Sequence, residues 1–344
     1  MKRFNDFFRC MSLLVLFMLF FSTTDVSAMK SNGPAADGHD SIRISLLTCA
    51  PGEEIYSLFG HTAIRYENPS QGIDVVFNYG LFSFNTPNFI LRFSLGETDY
   101  QLGATDYAHF AAEYAFFGRS VWQQTLNLTE REKAKLIRLL QENYRPENRV
   151  YHYNFFYDNC ATRPRDKIEE SIAGKVIYPA KPQDGSRSFR DIVHQYCKGH
   201  PWARFGIDLC IGSEADRPIT QRQMMFAPFY LMDAFAGAQI ENDSIQRPLA
   251  EAARLIVDAT PETDESGWIF TPLQCALLLF ILTVGATIYG IRRRTGLWGV
   301  DLFLFSAAGI VGCVLAFLAF FSEHPAVSSN FLLFVFHPGQ LLFL

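Results

Sequence analysis

Charge is scarce in this chain. Asp, Glu, Lys and Arg make up 19% of its 344 residues, below the ~25% usual for soluble proteins. Intrinsic disorder needs the reverse, abundant charge with few aromatics. Here 49% of residues are hydrophobic and 15% aromatic, 33 of them Phe. Basic residues are also in deficit. The net charge of −5 lacks the Lys/Arg surplus that phosphate neutralisation requires, so nucleic acid is not an expected partner. Seven cysteines are too few for a disulfide scaffold. Cys197 and Cys210 would lie in an oxidisable compartment, but spacing alone cannot establish a bridge. No internal repeat is visible, which sets aside solenoids and propellers.

What the chain has instead is unevenly placed apolar sequence. Lys2, Arg3 and Arg9 precede an uncharged run from Cys10 to Thr24, followed by Val26-Ser27-Ala28. That order describes an export signal over residues 1–28, cleaved after Ala28, with a retained N-terminal anchor as the alternative. Residues 268–291 hold no charge and, at ~1.5 Å per residue, are long enough to cross a ~30 Å hydrocarbon core. Arg292-Arg293-Arg294 opens a short loop, residues 292–296, whose basic character marks the cytoplasmic side. A second span over 297–321 returns the chain outward. Two buried helices of a soluble fold are a poor alternative, because uncharged runs of this length are rare there. Residues 322–344 form an outer loop and then the uncharged stretch Phe331 to Leu344. It is too short for a helical span, so it either dips partway into the membrane or belongs to a longer chain, the reading favoured here.

Between signal and spans, residues 30–267 carry more acid than base, so broad electrostatics will not hold them to anionic lipid. Ser41–Thr48, Ala63–Tyr66, Asp74–Tyr79 and Thr98–Leu102 read as strands. Tyr107–Phe117 and Arg163–Ser171 read as helices. Thr129-Glu130-Arg131-Glu132 reads as a capping box opening a helix to Tyr144. Val150–Tyr157 is dense in β-formers. Residues 213–267 are more polar, with helical segments at Met224–Ala236 and Leu249–Val257 ahead of a juxtamembrane linker. The mixed order predicts an α+β domain over residues 30–212.

Two local patterns carry chemistry. His61 follows Gly60 at the start of a strand, and Cys160 sits at a junction into a helix. A thiol at a helix N-terminus gains nucleophilicity, because the dipole and unpaired N–H groups favour thiolate. A histidine in reach would act as base and then as acid, and helix-start N–H groups would receive an oxyanion. A lone Cys is usually a small buried hydrophobe and a lone His usually structural. The flanks Asp158, Asn159, Thr162 and Arg163 are poor company for an inert core thiol. Cys49, by contrast, precedes Pro51-Gly52 and reads as part of a turn.

The run Leu47-Thr48-Cys49-Ala50-Pro51-Gly52-Glu53-Glu54-Ile55-Tyr56-Ser57-Leu58-Phe59-Gly60-His61-Thr62-Ala63-Ile64-Arg65 resembles the opening of the Lnb family. Asn154-Phe155-Phe156-Tyr157-Asp158-Asn159-Cys160-Ala161-Thr162-Arg163 resembles its second signature. Phe77-Asn78-Tyr79-Gly80, Leu126-Asn127-Leu128-Thr129 and Phe205-Gly206-Ile207-Asp208-Leu209 are further matches. The family comprises membrane-tethered lipoprotein N-acyltransferases of Bacteroides-type bacteria. The His-first, Cys-later order is also similar to the permuted papain-like group containing lecithin:retinol acyltransferase, although that group's Asn-Cys-Glu-His motif is absent here. The resemblance implies a permuted papain-like domain followed by transmembrane helices, at the periplasmic face of the inner membrane. It implies Cys160 as nucleophile and His61 as base, and no cofactor or metal. The partners it implies are a glycerophospholipid acyl donor and a diacylated lipoprotein acceptor. Papain-like sites need a third polar group, for which Asn78 is the choice and Asp74 the alternative. Arg65, Arg163 and Arg165, with Asn159, Tyr79 and Asp158, are candidates for substrate binding. Arg is suited to a lipid phosphate by its bidentate fork, and ion pairs with Asp158 or Asp166 are the competing use of these arginines. Phe82, Phe84, Phe89 and Phe93 either fill the core or dip into the interface. A phospholipase or cysteine peptidase with the same dyad, or a non-enzymatic membrane scaffold, are the competing functional classes.

Overall fold

Alternation in the sequence becomes a sheet buried on both sides. In chain order the strands are β1 (Arg43–Cys49), β2 (His61–Asn68), β3 (Ile73–Leu81), β4 (Asp99–Asp106), β5 (Val121–Thr125), β6 (Val150–His152), β7 (Lys175–Ile177), β8 (Gln239–Asn242), β9 (Ile245–Pro248) and β10 (Arg254–Val257). Seven form an antiparallel sheet in the order β10-β5-β1-β2-β3-β4-β6, and β7-β8-β9 make a separate three-stranded sheet. The computed structural model describes residues 42–83, 85, 87–179, 187–242, 245–260 and 270–343, all within one unit that spans residues 40–344. The expected signal segment, Phe84 and much of the expected linker lie outside the described residues.

The helices are α1 (Phe89–Leu95), α2 (Tyr107–Phe116), α3 (Glu130–Tyr144), α4 (Thr162–Ser171), α5 (Phe189–Tyr196), α6 (Pro201–Cys210), α7 (Gln221–Met224), α8 (Pro228–Gly237), α9 (Pro272–Arg293) and α10 (Trp298–Phe321). Side chains alternate faces along a strand, so β1 splits into two sets. Ile44 and Leu46 meet Ile64 and Tyr79 and the apolar faces of α3, α4 and α8 through Leu136, Leu140, Ile168 and Phe235. Leu47 and Cys49 face the other way, with Ala63 and Val76, onto Phe110 and Tyr114 of α2. Each fully buried Leu or Phe in these layers contributes about 1.5–3 kcal/mol. A third cluster gathers Phe59, Phe156, Phe189 and Phe226 around α5. The α3 capping box forms as expected, Thr129 accepting from the N–H of Glu132. The domain is α+β, followed by α9 and α10, two helices long and apolar enough to cross a membrane.

The structure corrects several expectations. Only Val150–His152 of the 150–157 stretch is strand. Asn154 Oδ1 accepts from the N–H groups of Phe156 and Tyr157, turning the chain and sending Phe156 into the third cluster. Leu249–Val257 is not a helix. Leu249 and Ala250 are buried and Arg254–Val257 pairs with β5 as the sheet edge, so tertiary pairing overrides local pattern. The helix expected over 224–236 begins only at Pro228, which takes the first helical position where no N–H is needed, while Met224 ends a separate short helix. Cys49 ends β1 rather than lying in a turn, and it is fully buried. Cys197 and Cys210 are both free thiols. The 331–343 stretch folds back on α10, where a Cβ at Gly312 would collide with the Phe336 carbonyl oxygen.

Candidate active site

His61 is set by the β1–β2 connection. Its Cα partner across the register is Cys49, and the residue before it, Gly60, has φ +79. A Cβ at Gly60 would stand 2.5 Å from Cys49 O, so only glycine lets the loop return this close to β1. His61 Nε2 lies 3.2 Å from Asn78 Oδ1. Asn78 is on β3 directly beside Ala63 and is buried. An amide oxygen only accepts, so Nε2 carries the hydrogen and Nδ1 is left with the lone pair. That is the tautomer a general base needs.

Cys160 comes from the turn between β6 and α4. Its sulfur lies against two backbone N–H groups, its own and that of Thr62, the residue next to His61. Two residues beyond Asn78, Gly80 takes φ +93, and a Cβ there would sit 3.5 Å from Cys160 Cβ. Strand β3 thus meets both groups, through Asn78 at the imidazole and Gly80 under the cysteine.

Burial dominates the electrostatics. It pushes the Cys160 thiol up to about 11, against the opposing pull of the Thr62 and Cys160 N–H groups and of the Arg119 charge. Burial, aided by the Arg119 charge and opposed by the Asn78 hydrogen bond, lowers His61 to about 4. The resting site therefore holds neutral thiol and neutral imidazole. This corrects the expectation that the helix start would favour thiolate: burial outweighs the N–H groups at the sulfur, and the helix-start donors are used elsewhere. Asn159 Oδ1 accepts from the N–H groups of Ala161 and Thr162, at 2.8 and 2.9 Å. The helix-start donors are spent on this cap and do not reach the sulfur. An oxyanion beside Cys160 would instead meet the Thr62 and Cys160 N–H groups.

The other candidates are engaged elsewhere. Arg65 forms a bidentate pair with Asp74 at 2.8 and 2.7 Å, adds Gln123, and stacks on Tyr107. Arg163 pairs twice with Asp158 at 2.6 Å and lies over Tyr151. Arg165 is buried between Asp166 and the Arg222 carbonyl. The competing use of these arginines as ion-pair partners is the one the geometry displays. Asn159 is fully committed, donating to the Phe155 and Phe226 carbonyls as well as capping α4. Tyr79 is a core residue whose hydroxyl donates to Asn143. Asp74, the alternative to Asn78, holds Arg65 and not the imidazole.

One residue near the site carried no sequence signal. Arg119 follows Gly118, which turns α2 with φ +63. Its Nε donates to Ala50 O at 2.9 Å and its guanidinium lies 4.8 Å over Tyr114. From there its charge acts on Cys160, His61 and Cys49 alike.

Cys160 and His61, half-buried, and the buried Asn78 lie on an α+β domain that leads into two apolar helices, a membrane-attached class that comparison specifies. Residues 35–190 match the Lnb N-terminal periplasmic domain and residues 263–344 match the Lnb transmembrane domain. The chain belongs to the Lnb-type family. It is a membrane protein with a periplasmic domain. No curated protein matches it, and no solved structure does.

Proposed function

We propose that this protein is a lipoprotein N-acyltransferase at the inner membrane. On this reading α9 and α10 cross the bilayer and the Arg292–Arg294 loop faces the cytoplasm. Cys160 Sγ attacks the carbonyl carbon of a glycerophospholipid ester while its proton passes to His61 Nδ1. Proton transfer accompanies the attack. With burial raising the thiol to about 11 and lowering the imidazole to about 4, the neutral pair is the resting form and a preformed thiolate–imidazolium pair is disfavoured. The oxyanion is received by the Thr62 and Cys160 N–H groups. Collapse expels the lysophospholipid oxygen, which takes the proton from His61, and a thioester remains. The α-amine of a diacylglyceryl-cysteine, with pKa near ~8 and partly neutral at pH 7, then attacks the thioester. Its proton goes to His61 and on to the departing Cys160 sulfur. Asn78 fixes the imidazole tautomer throughout. Attachment to one leaflet raises the effective concentration of both lipid substrates.

The observation that supports this reading most is the pairing of His61 Nε2 with Asn78 Oδ1 while the Cys160 sulfur rests on the adjacent Thr62 N–H. The test is product analysis of the purified protein in phospholipid vesicles, with and without a diacylated lipopeptide. Triacylated peptide formed at the expense of phospholipid supports transfer. Fatty acid released at the same rate with or without the peptide refutes transfer and indicates a thiol lipase.

A further inference from the structure

The periplasmic domain exposes an apolar surface that its own packing does not use. On α1, Ile90 is 80% exposed, Leu91 53% and Phe93 48%, and Ile55 of the loop before His61 is 56% exposed. Clustered apolar exposure on this scale marks a binding surface. What faces it is shown by the chain's attachment to the transmembrane domain. Two residues after α10 ends at Phe321, the Glu323 N–H donates to Leu95 O at 2.8 Å. The next residue, His324, bonds Phe93 O through Nε2 at 2.9 Å, and its ring lies 5.9 Å from that of Phe93. A Cβ on Gly96, the residue capping α1, would meet the Glu323 Cβ at 3.3 Å. The C-terminal end of α1 is therefore clamped to the outer end of a helix that is 24 residues long, about 36 Å at 1.5 Å per residue, against a core of about 30 Å. With α10 crossing the bilayer, as in the function proposed above, α1 comes to the level where headgroups give way to acyl chains.

The same helix is braced to the reaction site. Ring contacts run from Phe93 to Phe89 at 6.0 Å, Phe89 to Phe82 at 5.8 Å, Phe82 to Tyr100 at 5.1 Å and Tyr100 to Tyr153 at 4.3 Å. Tyr153 packs against the site of Gly80, where Cys160 sits. Tyr56, beside Ile55, joins the row through Phe82. The α1 surface and the cysteine thus belong to one continuous aromatic unit.

From this we propose that α1, with Ile55, is an interfacial element immersed in the periplasmic leaflet, holding the mouth of the Cys160 site against the lipid. Helices that lie in the interface bury an apolar face about 5–10 Å deep. Here Ile90 and Leu91 are that face. The docking needs no acyl chemistry; its use, presenting phospholipid esters to Cys160, rests on the function proposed above.

The test places a photoreactive residue on the surface of the full chain in vesicles of phosphatidylethanolamine and phosphatidylglycerol. Ile90→p-benzoylphenylalanine and, separately, Leu91→p-benzoylphenylalanine are irradiated and the protein mass is measured. The control is Ile177→p-benzoylphenylalanine, on β7 beyond the end of α4 remote from Cys160. We expect phospholipid-mass adducts at 90 and 91 at least tenfold above the control. Adducts at both positions no more frequent than at 177 overturn the proposal. Acyl transfer to Cys160 is followed in the unsubstituted protein in the same vesicles. Adducts at 90 and 91 without an acyl group on Cys160 support the docking while refuting the acyl-transfer reading. An acyl group on Cys160 without those adducts overturns the docking alone.

Discussion

Asn78→Ala removes the hydrogen-bond partner of His61 Nε2 while leaving the β3 backbone in place. The lost interaction is a part-buried, neutral hydrogen bond. Leaving its donor unpaired costs about 1–3 kcal/mol. The fixed tautomer is lost as well, so part of the population presents Nδ1–H to the sulfur and cannot accept its proton. Since each ~1.4 kcal/mol is tenfold in rate, acyl-enzyme formation should slow by roughly 10–100-fold. Asn78→Asp provides the complementary perturbation. A carboxylate beside Nε2 favours imidazolium, so His61 titrates higher than its present value of about 4. Because the base must be neutral, the acid limb of the rate profile moves toward neutral pH, while the rate at pH 8 stays near that of the parent. The assay is the rate of thioester formation on Cys160 from vesicle phospholipid, read by quenched intact mass between pH 4 and 9. The parent should be flat above about pH 5. An Asn78→Ala rate within twofold of the parent, or a parent acid limb at the ordinary histidine value, would refute the assigned role of this pair.

Other outcomes follow from the same geometry. Arg119→Gln removes a charge that lowers both the Cys160 and the His61 pKa. Acylation should fall about tenfold and its acid limb should rise, whereas Arg119→Lys keeps the charge and should hold the limb in place; the pH–rate profile distinguishes them. Asn159→Ala leaves four hydrogen bonds to backbone groups unmade and should destabilise the periplasmic domain by about 2–4 kcal/mol, seen as a lower melting temperature. Gly60→Ala places a Cβ against the Cys49 carbonyl at positive φ and should cost about 1–3 kcal/mol, with loss of acylation exceeding that expected from the unfolded fraction alone. A melting temperature unchanged from the parent would contradict either of the last two.

Much of the site was legible because it is written locally. A glycine before a strand-opening histidine, and a cysteine among turn and capping residues, mark His61 and Cys160 without reference to the rest of the chain. Asn78 was readable as the neighbour on the next strand of a short hairpin. Arg119 was not, because its place depends on β5 joining the far side of β1, which brings residue 119 beside Ala50. The arginines at 65, 163 and 165 are chemically apt for phosphate, yet each has a carboxylate within reach. Asp158 and Asp166 are near enough in sequence to be weighed for Arg163 and Arg165, whereas the pairing of Arg65 with Asp74 depends on the β2–β3 register. Helix α1 was hidden behind the turn signal of Pro87 and Asn88, since it begins at the very next residue. The Leu249–Val257 segment has helical spacing but lies against an open sheet edge, and pairing there satisfied its backbone. The thiol's pKa was misjudged because burial, which a local motif does not show, outweighs the N–H groups that act on the sulfur, and the Asn159 cap takes the helix-start donors for itself.

The central claim is that the sulfur of Cys160 carries the acyl group. Intact-mass measurement of the full chain after mixing with phospholipid vesicles tests this most directly. The account predicts a mass increase of one fatty acyl chain that hydroxylamine removes, mapped to Cys160 and absent in Cys160→Ala. Transfer of the acyl chain to a diacylated lipopeptide by folded, membrane-inserted Cys160→Ala at the parent rate would contradict it.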